Sequence, residues 1–233
     1  MADKNLFRLK IKPKSALRGN INSNTFFGVF CQAYKMLTDD EELRMLLECL
    51  ADNSEELTFS NPLKPDTTTV IQRFSKKQSP HCMISRQDNG ENMLNVNVDI
   101  ILKRFDVLLY TSLPLKEINK LCRIVELLGI GAQRSTGGGN IEILEVIPEE
   151  LPEHSNSMTL LSNMVPDEDT PVHGNFQFVT REGKTINGIE QSEIIQIKAG
   201  SVLVNNKVDK IVYGKVLYDK KSDTFINCKA IAV

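Results

Sequence analysis

Apolar and basic residues alternate near the start of the chain, where Phe7, Leu9 and Ile11 interleave with Arg8, Lys10 and Lys12. That period of two predicts a half-buried strand. After a polar stretch from Arg18 to Thr25 the period lengthens, and Phe26, Phe27, Phe30, Ala33, Tyr34 and Leu37 fall on one helical face. Thr38 with Glu41 reads as a capping box opening a second amphipathic helix, with Leu43, Leu46, Leu47 and Leu50 inward. Pro62, Pro65 and the threonines that follow mark a loop, and Val70 to Phe74 is a short strand candidate. His81 to Ser85 and Met93 to Ile101 flank Asp88-Asn89-Gly90, the turn signal of a β-hairpin. Phe105 to Tyr110 continues as strand. Pro114 then sits at the first turn of a helix whose Leu115, Ile118, Leu121, Cys122, Val125 and Leu128 form one apolar stripe, ended by Gly129 at C′. Beyond a glycine-rich loop, Ile141 to Ile147 is again a strand.

The order strand, helix, strand, strand, helix, strand is the split βαβ pattern of a ferredoxin-like (RRM-like) fold. Past Pro148 the helical period disappears. Met158 to Met164, Phe176 to Thr180, Ile194 to Val204, Ile211 to Tyr218 and Phe225 to Ala232 all read as strands. The expected architecture is therefore α+β: a ferredoxin-like domain over residues 1–150, then a β-rich domain over residues 151–233, a second ferredoxin-like unit reduced to little more than its sheet.

Composition narrows the function classes. Hydrophobic residues make up 41% and charged residues 25%, the mix of an ordinary globular protein. No apolar run approaches the roughly 20 residues of a membrane span, and the first residues do not form a signal peptide. The odd set Cys31, Cys49, Cys82, Cys122 and Cys228 reads as reduced thiols, so a cytoplasmic protein without membrane contact is expected. A net charge of −2 argues against a general nucleic-acid coat. Its distribution says more. Lys4, Arg8, Lys10, Lys12, Lys14 and Arg18 crowd the start, whereas every charged residue from Asn140 to Val172 is acidic. A basic face for RNA and an acidic face for a protein partner is one reading, and solvated charge runs are the other.

The sharpest local feature is Gly129-Ile130-Gly131-Ala132-Gln133-Arg134-Ser135-Thr136-Gly137-Gly138-Gly139. A dinucleotide fingerprint would carry glycine where Arg134 stands and would lead from strand into helix, whereas here the order is helix, loop, strand. The Gly-Lys-Ser/Thr ending of a Walker A loop is absent. Glycines nevertheless let backbone amides approach a phosphate chain, Arg134 adds a forked cation, and Ser135 and Thr136 add hydroxyl donors. A plain connector is the alternative, but a connector has no need of glycines surrounding Arg-Ser-Thr.

Helix followed by Gly-x-Gly-x-x-Arg-Ser-x-Gly-x-Gly resembles the signature of the RAMP superfamily of CRISPR proteins, and within it the fourth subunit of type III-A Csm antiviral effector complexes. Asn24-Thr25-Phe26-Phe27-Gly28-Val29-Phe30-Cys31 is similar to that family's first-helix motif. Ala199-Gly200-Ser201-Val202-Leu203 resembles its C-terminal Gly-Ser strand motif, and Ser85 to Tyr110 its protruding hairpin and core strand. The resemblance implies ferredoxin-like halves clasping the 5′ handle of a CRISPR RNA. It also implies contacts with the large polymerase-cyclase subunit and the backbone RAMP subunit; no His/Cys pair has the spacing of a zinc site, and no cofactor or metal is expected. The RNA-binding set is then Arg18, Ser23, Asn24 and Thr25 at the first helix, and Met83 and Arg86 on a thumb-like hairpin. The loop adds Gly129, Gly131, Arg134, Ser135, Thr136, Gly137, Gly138 and Gly139, and the Gly-Ser motif adds Ser201.

The rival reading is a RAMP endoribonuclease that processes the CRISPR RNA precursor. Such cleavage needs a general acid and base beside the scissile phosphate, often a histidine after the first strand. No histidine precedes His81, while His154 and His173 lie beside prolines. Tyr34 sits on an apolar helix face, and Asp39-Asp40 suits a helix N-terminus. The expectation is a non-enzymatic subunit. A purely structural subunit that never touches RNA is the third possibility, against which the basic strand and the Arg134 loop speak.

Overall fold

The computed structural model describes residues 4–19, 21–71, 75–84, 91–101, 103–131, 134, 137–150, 156–171, 173–183, 185, 188–204 and 210–233. For residues 18, 75–84 and 91–101 the description is of backbone alone. The chain opens with β1 (Asn5–Pro13) and β2 (Leu17–Arg18), then α1 (Ser23–Leu37), α2 (Asp40–Ala51) and β3 (Leu57–Phe59). A long ribbon, β4 (Ser75–Ile84) and β5 (Glu91–Ile101), precedes β6 (Phe105–Thr111), α3 (Leu115–Leu128) and β7 (Ile141–Glu149). The rest is strand: β8 (Ser157–Thr159), β9 (His173–Asn175), β10 (Phe178–Arg181), β11 (Ile194–Ile197), β12 (Val202–Val204), β13 (Val212–Asp219) and β14 (Thr224–Ile231).

The central sheet runs β3-β6-β1-β7, antiparallel throughout. Alternation along β1 decides what covers each face. Phe7, Leu9 and Ile11 pack with Phe26, Phe30 and Ala33 of α1 and with Ile118, Leu121 and Val125 of α3. Phe59 closes this layer, its ring 4.8 Å from that of Phe30 and 6.2 Å from that of Phe26. On the opposite face Leu6 and Leu108 join Leu161, Ile211, Val212 and Ile231, so the second half of the chain rests on the back of the sheet. Residues on both sides of position 150 thus share one apolar cluster.

A buried ion pair also ties the halves. Lys229 Nζ lies 3.2 Å from both Glu56 carboxylate oxygens, and Asn227 Nδ2 donates to Leu57 O at 2.9 Å. Burial pulls the Lys229 ammonium below its ordinary value despite the opposing pull of Glu56. The pair stands where β14 crosses β3, and it selects one alignment of these strands, because a slip would bury two unpaired charges.

Several expectations are corrected. The strand at the sheet edge beside β6 is Leu57–Phe59, not Val70 to Phe74. Of the latter, Val70 makes only an isolated bridge to Leu63, and residues 72–74 lie outside the described residues. Asn22 caps α1, accepting from Thr25 N, and Asp39, not Thr38, caps α2. The ribbon begins at Ser75, six residues before the expected His81, while the expected turn at 88–90 lies outside the described residues. Leu37 and Leu115, assigned inward, are exposed. The expected strand from Ile194 to Val204 is two strands, broken at Gly200, whose φ of 88° turns the chain.

The charge runs meet rather than separate. Arg8 is buried, pairs with Glu149 and reaches Asp106 Oδ2 at 3.3 Å; Lys10 meets Glu145 at 3.0 Å and Lys14 meets Glu142 at 3.4 Å. Because β7 lies directly beside β1, its carboxylates neutralise the basic strand. The basic and acidic faces anticipated from the sequence are therefore not distinct here.

Candidate nucleic-acid interface

The glycine loop sorts into a closed neck and an open outer turn. Ile130 N donates to Gly139 O at 2.9 Å, drawing the two ends together. Gly129 (φ 68°) and Gly139 (φ 81°) are buried at this neck. A Cβ on Gly129 would stand 2.8 Å from Gly139 O, and one on Gly139 would overlap Ile130 O. Those two glycines serve the neck's own geometry, which only a residue lacking a side chain can adopt. Gly137 (φ 84°) is exposed with open space around it, and Gly131 and Gly138 are partly exposed. Arg134 lies back against the neck, and its Nη1 donates to Gln32 Oε1 on α1 at 3.4 Å. Ser135 and Thr136 lie outside the described residues.

The short connection after β1 joins three of the predicted parts. Lys14 N and Ser15 N donate to Asn140 O, and Gly139 N donates to Ala16 O at 3.3 Å. The next two residues, Leu17 and Arg18, pair with Ile101 and Ile100 of β5. The root of the ribbon and the neck of the loop are therefore held by adjacent backbone, immediately before α1. Met83 pairs with Asn92 at the far end of the ribbon, about 25 Å beyond Arg18 at the rise of a β-strand. The structure does not bring Met83 to the loop. Arg86 lies outside the described residues.

The start of α1 opens onto a groove. Asn22 to Thr25 line a cavity of about 400 Å³ together with Asn163, Val179, Arg181 and Gln196. Asn24 and Arg181 also line a larger cavity, of about 770 Å³, walled by Phe27, Gly28, Leu43, Tyr218 and Phe225. The smaller cavity is polar, the larger combines an apolar end at Phe27, Leu43, Tyr218 and Phe225 with the charged side chains of Asp40, Arg44 and Asp223, and Arg181 stands at the junction. Its Nη2 donates to Gln191 Oε1 at 3.0 Å, whereas its buried Nη1 has no partner. Burial pulls this guanidinium below its ordinary value, with Cys228 and Asp219 opposing. An unpaired buried guanidinium N–H costs free energy that an anionic ligand would recover. At the apolar end the Tyr218 and Phe225 rings lie 5.2 Å apart, and a side chain at Gly28 would meet nothing within 4 Å. Cys31 in the same wall is pushed up to about 12 by burial, so it stays a neutral thiol.

Two predicted residues have other duties. Ser201 is buried, and its hydroxyl accepts from Gln177 N at 2.9 Å, so it fixes the turn between β11 and β12 rather than facing a ligand. Ser23 is also buried, with its N–H taken by Asn61 Oδ1, although it borders the smaller cavity. Sequence reasoning missed Arg181, Gln191, Tyr218 and Phe225. The only signal was a lone arginine in a strand of otherwise unremarked polarity.

Comparison with solved structures decides the fold. A chain of the Csm3-Csm4 subcomplex in the type III-A CRISPR-Cas interference complex superposes with a TM-score of 0.61, covering 98% of each chain at 14% identity. Chains from the Csm1-Csm4 cassette in complex with cA4 and with pppApApA each give 0.55, over 99% of this chain and 97% of theirs, at 11% and 12% identity. The chain has the Csm4 fold. No family model matches the sequence, and no curated protein matches it either. The likeness to Csm4 spans both halves, so the strands after β7 belong to that fold as fully as the central sheet does. Among the described residues no helix is long and apolar enough to cross a membrane, and no group of His, Cys, Asp and Glu side chains is placed to hold a metal.

Proposed function

We propose that the chain is a non-catalytic CRISPR RNA-binding subunit of a type III-A antiviral effector complex. In this reading residues 1–150 are a ferredoxin-like RAMP domain, and residues 151–233 are a β-rich, reduced counterpart. The handle runs from the outer turn of the glycine loop, past the start of α1, into the groove at Arg181. The subunit bridges a Csm1-type polymerase-cyclase subunit and a Csm3-type backbone subunit.

The observation that carries this reading is the division of labour within the loop. Gly129 and Gly139 lock the neck, leaving Gly131, Gly137 and Gly138 on a turn that a phosphate chain can approach. Three further features support it. Arg134 needs to give up only a long bond to Gln32 to meet a phosphate. Asn24 and Arg181 offer polar contacts, and the Tyr218 and Phe225 rings offer a surface on which an unpaired base can stack. The Csm4 fold is found in assemblies with Csm3 and with Csm1.

Non-catalysis rests on the groove's chemistry. Its described lining has the guanidiniums of Arg44 and Arg181, amides, hydroxyls, aromatic rings, the Cys31 thiol and the carboxylates of Asp40, Glu182 and Asp223, but no histidine to serve as a general base near neutral pH. Filter binding with a labelled CRISPR repeat RNA, with and without magnesium, tests the whole reading. Retention of intact RNA is expected. Cleavage would establish the processing endoribonuclease instead, and neither binding nor cleavage would leave a structural subunit.

A further inference from the structure

The tip of the β13–β14 hairpin meets the loop joining β10 to β11 beside Arg181, and hydroxyls and amides fill the contact. Asp219 and Thr224 are the last pair of the hairpin. Ser222, in the turn between them, donates its hydroxyl to Asp219 Oδ2 at 2.6 Å and lies 2.7 Å from the Thr224 hydroxyl. Thr224 Oγ1 accepts from Gln191 Nε2 at 3.0 Å, and Gln191 Oε1 accepts from Arg181 Nη2 at 3.0 Å. An unbroken line of hydrogen bonds thus runs from a carboxylate to the guanidinium in the groove. The other end of that guanidinium differs: Nη1 is buried and finds no partner among the described residues.

The carboxylate gives this line a direction. An ionised carboxylate only accepts, so the single hydroxyl proton of Ser222 points to Asp219. Ser222 Oγ can then only accept from Thr224, whose one proton is thereby used, and Thr224 Oγ1 can only accept from Gln191. The Gln191 amide must therefore turn its NH2 to Thr224 and its carbonyl to Arg181. Turned over, it would set donor against donor, and Arg181 would lose its anchor. Asp219 is itself secured as an anion. Ser192 Oγ donates to Oδ1 at 2.6 Å, Ser192 N to Oδ2 at 3.1 Å and Lys221 N to Oδ1 at 3.3 Å. Gln191 N donates to Gly183 O at 2.8 Å, and Gly183 leaves room for the amide, because a Cβ there would overlap Gln191 Oε1.

We infer that Asp219, acting through Ser222, Thr224 and Gln191, is the positioning residue for Arg181: Nη2 is tethered to Gln191, and Nη1 is left for an anion in the groove. The inference rests on the proposed function for the identity of that anion, a phosphodiester of the guide. A guanidinium already held at one end gives up less freedom on binding than an untethered one, so the line raises affinity from a distance. Thr224 and Gln191 border the larger cavity, whereas Asp219 and Ser222 are buried. The alternative is that these bonds only brace the hairpin tip and the 183–191 loop. Bracing acts alike whether or not Arg181 is present, whereas positioning acts only through it.

The test compares Ser222→Ala and Gln191→Met in the full chain, each alone and combined with Arg181→Ala. Two readouts are taken: affinity for labelled handle RNA, and the Gln191 side-chain amide signals by NMR. Each single variant is expected to weaken handle binding by roughly two- to tenfold, the worth of one neutral hydrogen bond. Neither should add to the loss once Arg181 is alanine. Gly183→Ala, which keeps every donor and acceptor but displaces the Gln191 carbonyl, should behave in the same way. Ser222→Ala should also move the Gln191 amide signals, which it reaches through Thr224. Losses of equal size with and without Arg181 mean bracing and overturn the inference. So does unchanged affinity in Ser222→Ala and Gln191→Met when Arg181→Ala weakens binding, an outcome that leaves the guide reading intact. Gln191 signals that stay put in Ser222→Ala overturn it whether or not the chain binds RNA. If those signals move while Arg181→Ala leaves handle binding unchanged, the tether stands and the guide reading of the groove falls.

Discussion

Replacing Gly139 with alanine tests the claim that the loop's neck is shaped by close backbone approach. At φ 81° an L-residue adopts the left-handed region, which costs about 1–2 kcal/mol. The new Cβ also overlaps Ile130 O, so the neck must open and the Ile130 N–H to Gly139 O bond is lost, worth about 1 kcal/mol. The sum is about 2–3 kcal/mol, which for a chain of this size lowers the melting temperature by about 4–12 °C. Gly137→Ala is the control. It carries the same positive φ but meets open space, so only the conformational cost applies, about 1–2 kcal/mol. Urea unfolding of the two variants beside the unaltered chain measures both. A Gly139→Ala variant no less stable than Gly137→Ala would refute the closed neck, and with it the sorting of the loop's glycines.

Other substitutions probe separate parts of the account. Asn22→Ala should cost about 1 kcal/mol by uncapping α1, whereas Ser23→Ala removes no cap; equal losses in thermal melts would contradict the assignment. Lys229→Met leaves the Glu56 carboxylate buried without its main partner and should destabilise by about 3–5 kcal/mol, much of it recovered by adding Glu56→Leu; a double variant no better than the single one would remove the pair's role at the seam. Asp219 is held well below the ordinary carboxylate range, first by the Ser192 hydroxyl and then by that of Ser222, with the Ser192 and Lys221 amides adding to them. Its stabilisation is complete above the unfolded value and is lost as pH falls through the lower folded value. Below about pH 4 the unaltered chain should therefore lose stability more steeply than Asp219→Asn, and parallel acid limbs in chemical denaturation would count against the network. Arg181→Ala should weaken handle binding and flatten its salt dependence by about 0.7 in log–log slope; an unchanged slope would take the RNA out of the groove.

Legibility followed the range of the interactions. The period of Phe7, Leu9 and Ile11 and the stripe from Ile118 to Val125 are local patterns, and both elements lie where those patterns put them. β3 escaped because it is only three residues long: Glu56-Leu57-Thr58-Phe59-Ser60 does alternate polar and apolar, but a run that short carries little signal, and nothing in it announces that Thr58 is buried too. Ser23 and Asn22 are neighbours with equal capping propensity, and only the fold, by handing Ser23's amide to Asn61, decides between them. The basic strand misled for a different reason. Lys10 and Glu145 lie far apart along the chain and meet only because β7 returns beside β1. Arg181 was invisible for the same cause: its meaning comes from α1 across the groove, which nothing in its own strand signals. Motif reading reached the glycine loop, and geometry was needed to separate the glycines that shape it from those that face outward.

The central claim is that one RNA strand lies along the outer turn of the loop, the start of α1 and the groove at Arg181. Handle RNA carrying a photoreactive thiouridine at single positions, crosslinked to the full chain and mapped by mass spectrometry, measures this directly. The account predicts adducts within residues 131–138 from one end of the handle and at Asn24, Arg181, Tyr218 or Phe225 from the other. Adducts confined to surfaces outside these three segments, from a complex that binds the handle specifically, would contradict it.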